Sequence, residues 1–303
     1  MHRIAILFVM LASILLGGCT RLPDTGVTLL RPAGIVELQR YLLDNATALD
    51  QFRLRGPFGV AIEKDRALKL SAAQQINTDL YLTSPAEKTA LVIILHGYAS
   101  SKDDHAFQAM QIASWGMHCL VLQLPNDGPW SRNGRTVAEI TRMIYNTPEI
   151  IDRRVDPNKI ILIGHSFGAS AMVIALSAGA PAIGAILLDP AAVGRDIPDY
   201  LGRITTPVML LGADENLSLA RNRELFFRFI HSQVAEVSIR NAIHEDAQYP
   251  SHDAQTTEEH QISFASAMTV SALSLAATGK LDYAWTSFGN ALKDGTLFNP
   301  KNK

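Results

Sequence analysis

The chain has 303 residues, 48% hydrophobic and 18% charged, a balance that supports a substantial buried core and argues against a disordered chain. Its 27 basic and 29 acidic side chains nearly cancel, leaving a formal charge of −2. With no Lys/Arg cluster interleaved with aromatics, nucleic acid is not an expected partner.

The chain begins with a short basic start at Arg3, an apolar stretch from Ile4 to Leu16 and then small residues. This pattern predicts an export signal over 1–18, too short for a comfortable membrane-spanning helix. Leu16-Gly17-Gly18-Cys19 resembles the bacterial lipobox, which implies cleavage before Cys19, lipidation of that cysteine and a place in the bacterial cell envelope. Thr20 rather than Asp after Cys19 leans towards the outer membrane if the organism is Gram-negative. Residues 19–34, broken by Pro23, Gly26 and Pro32, read as a linker, and 35–303 as a single domain. With Cys19 acylated, Cys119 is the one remaining thiol; inside the apolar run "HCLVLQL" it reads as buried and inert.

Ile35, Leu38 and Leu42 fall at helical spacing, and "GPFGVAIEK" and "INTDLYLTS" read as strands. From residue 90 the pattern alternates. Strands are predicted at 90–97, 118–125, 159–166, 183–190, 207–214 and 235–242, and helices at 106–116, 136–146, 168–179, 220–231 and 260–279. The central strands are almost continuously apolar, as strands covered on both faces must be. The expected fold class is therefore α/β, a mostly parallel sheet with helices on both faces. The short stretch between Asp189 and Pro207 leaves no room for a lid domain.

Gly164-His165-Ser166-Phe167-Gly168 satisfies G-x-S-x-G with an apolar strand before it and a helix after it. Forcing a serine onto so sharp a turn presses the residues two positions away against it, which explains the glycines. The following helix aims free N–H groups at the place where an anion would form. Ser166 is thus the candidate nucleophile. In "ILHGYASS" the turn after His96-Gly97 offers the amide of Tyr98 as a second oxyanion donor beside that of Phe167, with His96 itself structural.

A serine of this kind needs a base and an orienting carboxylate, in chain order Ser, Asp/Glu, His. After the strand at 207–214 stand Asp214 and Glu215; Asp214 is preferred for its short reach and Glu215 stays open. His244 is preferred as the base because it directly follows the strand at 235–242, with His252 as the alternative. The spacing of His244, His252 and His260 matches neither a helical i, i+4 pair nor a zinc pattern, so no metal is expected, and the Ser-His-carboxylate mechanism needs no organic cofactor. Trp130 is open between a pocket lining and a scaffold contact.

"RGPF", "DLYL", "HGYASS" and "GHSFGA", with no lid insertion, resemble an α/β-hydrolase over roughly residues 55 to 280, in particular the group of chlorophyllases, dienelactone hydrolases and bacterial cutinase-like polyesterases. That resemblance implies ester hydrolysis of a small-molecule or lipid-like substrate, with Tyr98 and Phe167 at the oxyanion positions. The acid loop "GADENLS" departs from the polyesterase pattern. A peptidase, thioesterase or acyltransferase on the same fold, or a binding protein without catalysis, are the alternatives.

Overall fold

A computed structural model describes residues 34–45, 48–214 and 217–303, without the side chains of 217–220. The expected signal, the lipidation site Cys19 and the alternative acid Glu215 lie outside the described residues. In chain order the elements are α1 (Ile35–Asp44), β1 (Val60–Lys69), β2 (Gln75–Thr83), β3 (Thr89–Leu95), α2 (Ala106–Ser114), β4 (His118–Gln123) and α3 (Trp130–Asn146). They continue with β5 (Val155–His165), α4 (Phe167–Ser177), β6 (Gly184–Leu188), α5 (Ile197–Leu201), β7 (Val208–Gly212) and α6 (Leu217–Phe229). The last are β8 (Val234–Ile239), α7 (Glu258–Thr278), α8 (Asp282–Ser287), α9 (Gly289–Asp294) and β9 (Leu297–Asn302).

The strands form one sheet in the order β1-β2-β4-β3-β5-β6-β7-β8-β9. From β4 to β8 all neighbours are parallel, while β1, β2 and β9 add antiparallel edges. In β3 the period of two sends Leu91, Ile93 and Leu95 into a core shared with α3, α4 and α5, and Val92 and Ile94 into one shared with α1, α2 and α7. Both faces are thus covered, which is why the sequence shows unbroken apolar runs instead of alternation.

The differences from the predicted elements have local causes. Helix α3 begins six residues earlier than its apolar pattern, because Gly134 hides the periodicity; a β-carbon there would lie 2.7 Å from Ile174 Cβ, so the glycine permits α3 to pack tightly on α4. Strand β1 runs to Lys69, its charged residues facing solvent as an edge allows. Strand β9 was not predicted. It is polar, contains Pro300, and pairs only with β8 at the opposite edge, where a missing N–H is tolerated. Helix α7 is capped by Thr257, whose hydroxyl accepts from the His260 amide at 3.2 Å, and stops at Gly279 with φ 68°. Buried between the sheet and α8, it is a core helix of the domain.

Candidate active site

Strand β5 delivers Ser166 to a sharp turn with φ 55° and ψ −121°, a backbone state that costs a non-glycine residue energy and persists only where its surroundings enforce it. They do. The Ser166 amide donates to Leu188 O at 3.0 Å, and its carbonyl accepts from the amides of Ala169 and Ala191, each at 3.1 Å. A β-carbon at Gly164 would lie 2.5 Å from the Gly168 carbonyl group, and one at Gly168 would lie 2.4 Å from His96 O. Both glycines of the motif are therefore required by close backbone approach.

The oxyanion side is built by the turn after β3. Gly97 lies against the serine, since a β-carbon there would come within 2.9 Å of Ser166 Cβ. His96 is fully buried, and burial holds its pKa below the usual histidine value. A neutral ring with its proton on Nδ1 fits its partners, donating to Gly97 O at 2.8 Å while Nε2 accepts from the Leu124 amide at 3.3 Å. Because Gly97 C=O and Tyr98 N–H belong to one planar peptide, this bond also orients the Tyr98 amide. Among the described residues neither that amide nor the Phe167 amide at the head of α4 donates to a protein acceptor.

His244 sits just past β8, at the head of a short 3-10 turn over His244–Ala247. The turn is pinned by Asp246, which accepts from the amides of Ile243 and Thr257, both at 2.9 Å, and contacts His260 Nδ1 at 3.2 Å. His244 Nδ1 lies 2.6 Å from Oδ2 of Asp189, the residue that follows β6. The acceptor is a carboxylate, so Nδ1 carries the proton and Nε2 is left with its lone pair.

This corrects the expectation for the carboxylate. Asp214 does not orient His244; its Oδ2 accepts from the Asn241 amide at 2.9 Å and its own amide donates to Ala242 O at 2.9 Å. Asp214 thus ties the turn after β7 to the turn after β8. His252, the alternative base, is a surface side chain, 91% exposed, with Nε2 3.7 Å from Asp104 Oδ1. His260 is spent on Asp246.

Asp189 has no solvent exposure, and burial, the largest influence on it, pushes its pKa up. The His244 hydrogen bond, the Arg223 charge and the Ala213 amide outweigh burial and hold the carboxyl below its usual range. Its φ of 35° turns the side chain away from the strand direction, a conformation aspartate tolerates better than most residues. In the sequence Asp189 stands out only as the end of an apolar strand. The available signal was an acid immediately after "GAILL", a strand end with nowhere polar to go.

Rings flank these residues on two sides. His165 packs on His244 with ring centroids 4.6 Å apart, and its Nε2 donates to the His244 carbonyl at 3.2 Å. Burial pushes its pKa well down, as does the nearby His244. Since His165 is the chain neighbour of Ser166, this stack brings the His244 imidazole to the serine turn. On the other side Tyr98, Phe167 and Trp130 form an aromatic row, with centroid separations of 6.1 and 5.8 Å. Trp130 is 7% exposed and edge-on to His96, which makes it chiefly scaffold, whereas Tyr98 is 63% exposed. Cys119 is fully buried, and burial raises its thiol pKa well above the usual value, so the thiolate needed for reaction is suppressed.

A profile of the alpha/beta hydrolase family matches residues 92–286, which include Ser166, Asp189 and His244. Among characterised proteins the chain is similar to cutinase est1 of Thermobifida alba, 25% identical over 195 residues, 62% of this chain and 64% of that protein. A bis(hydroxyethyl) terephthalate hydrolase of Streptomyces coelicolor is 25% identical over 198 residues, 63% of this chain and 62% of its own length. A cutinase of Thermobifida fusca is 23% identical over 185 residues, 60% of each chain. The chain thus spans less than two thirds of the length of each of these relatives.

Proposed function

The chain belongs to the alpha/beta hydrolase family, and we propose that it cleaves carboxylic esters through an acyl-enzyme, with Ser166 as nucleophile, His244 as base and Asp189 as the carboxylate that orients it. The observation that carries this reading is the 2.6 Å contact from His244 Nδ1 to a fully buried aspartate, beside a serine held at φ 55°. The similarity to cutinases and to a terephthalate ester hydrolase supports the choice of esters.

In the proposed reaction His244 Nε2 takes the Ser166 proton as Oγ attacks the ester carbonyl. The Tyr98 and Phe167 amides hold the oxyanion, each contributing about 3 kcal/mol to the transition state. Collapse returns the proton to the leaving alcohol, and a water activated by His244 then releases the acid. Asp189 stays ionised throughout and stabilises the imidazolium. The exposed ring of Tyr98, with Phe167 behind it, suits an apolar or aromatic acyl or alcohol group.

The test is labelling of the full-length protein by a fluorophosphonate, alongside turnover of p-nitrophenyl acetate. Loss of labelling and a fall in kcat of roughly 10⁶ in Ser166→Ala is expected. A native protein that neither labels nor turns over would sink the reading in favour of a binding role. We also propose that lipidated Cys19 anchors the enzyme to the cell envelope, so that Cys19→Ser moves it from the membrane fraction to the soluble one.

A further inference from the structure

Asp189 serves a second partner. While Oδ2 faces His244, Oδ1 accepts from the Ala213 amide at 3.0 Å and from Nη1 of Arg223, which reaches it from α6. Arg223 is 3% exposed, and its other amino group donates to Ala213 O at 2.7 Å, so one guanidinium grips both the carboxylate and the turn beside it. Behind Arg223 stands a second buried carboxylate, Glu236 on β8, with Oε1 3.8 Å from Nε. Glu236 Oε2 lies 3.2 Å from Nζ of Lys301 on β9. Charges therefore alternate inward from the sheet edge to the histidine.

The passage for this side chain is built into the backbone. A β-carbon on Gly212, the last residue of β7, would lie 2.3 Å from Arg223 Nε and 2.6 Å from its Cδ. Only glycine leaves that notch open. A lysine would supply the charge but not the fork, because an ammonium cannot present two parallel N–H groups to Asp189 and Ala213.

We propose that Arg223 is a positioning residue for catalysis: gripping Asp189 from behind, it fixes the oxygen that His244 uses and balances the buried negative charge beside the imidazole. The proposal rests on the serine hydrolase reading above. The groups facing His244 are Asp189 after β6 and the neutral His165 at the end of β5, with His105 edge-on behind His165. Those facing Arg223 are Asp189 and Glu236, with Lys301 beyond. An unbalanced carboxylate draws a proton onto its imidazole partner, and a cation on the far side offsets part of that pull. Removing the cation should therefore move the acid limb of kcat/KM to higher pH.

The experiment compares Arg223→Met, Arg223→Lys and the double variant Arg223→Met/Glu236→Gln, which leaves no orphaned glutamate, in the full-length enzyme. The kcat and KM for p-nitrophenyl acetate are measured from pH 5 to 9. In both Met variants kcat should fall about 10- to 100-fold with KM within about twofold. The acid limb of kcat/KM should move up by roughly half to one pH unit. Arg223→Lys should return the limb to its native position while leaving kcat about tenfold low. A folded double variant with native kcat, or with lowered kcat and an unmoved limb, overturns the proposal. Should both Met variants fail to fold, Arg223→Lys decides alone: native kcat overturns it, and a tenfold loss at unchanged KM supports it. Turnover that persists in Ser166→Ala would instead defeat the hydrolase reading itself.

Discussion

Two turns at the carboxyl ends of neighbouring parallel strands each carry an aspartate, Asp189 after β6 and Asp214 after β7, and they do different work. Asp189 is fully buried and meets His244, Arg223 and the Ala213 amide. Asp214 is half-buried and caps the Asn241 amide, steadying the backbone that leads to His244. The turn after β7 supports the site twice, through Asp214 and through the Ala213 amide that Asp189 accepts. An interior carboxylate keeps its charge where donors converge on it, and place in the chain does not decide which aspartate they converge on.

The contrast predicts its largest effect at Asp189. Asp189→Asn should lower kcat by about 10⁴, or about 5.5 kcal/mol in the barrier, because the amide favours the wrong imidazole tautomer. Turnover within tenfold of native in a folded Asp189→Asn protein would break the assignment of the acid. His105 and His118 show the opposite outcome of burial: burial outweighs the nearby Asp104 and Asp152 carboxylates and lowers each pKa from 6.5 to about 4. The unfolded chain then binds more protons than the native one between those values. The stability these neutral rings contribute is complete above about pH 6.5 and is lost as pH falls towards 4, about 2 kcal/mol per histidine on going from pH 7 to 5. Urea midpoints at the two pH values check this, and His118→Gln should flatten the dependence; equal midpoints in the native protein would contradict it.

Smaller effects are expected at the turn after β7. Gly212→Ala pushes Arg223 off Asp189 without removing a charge, so kcat should fall about tenfold or more while the protein stays folded; unchanged kinetics would mean that Arg223 relaxes at no cost. The smallest change is expected for Asp214→Asn, with kcat within about threefold of native and stability lowered by about 1 kcal/mol. A loss of kcat approaching that of Asp189→Asn would return Asp214 to the site.

Much of this protein is determined by short-range pattern and so is legible in the chain alone. The apolar runs of the central strands dictate a sheet covered on both faces, and Gly164, Ser166 and Gly168 dictate a strained turn with the Phe167 amide at a helix start. Those features need only neighbours in sequence and the sterics of a few residues. The strand at 235–242 points by the same local logic to His244 just beyond it, and the structure sets that ring against Asp189. Tertiary structure alone decided that Asp189 rather than Asp214 meets His244, that Arg223 and Glu236 back it from α6 and β8, and that polar, proline-bearing β9 closes the sheet. The reason is physical. Which carboxylate faces the base depends on which strand ends lie side by side and on where buried donors converge, and residue spacing along a chain encodes neither.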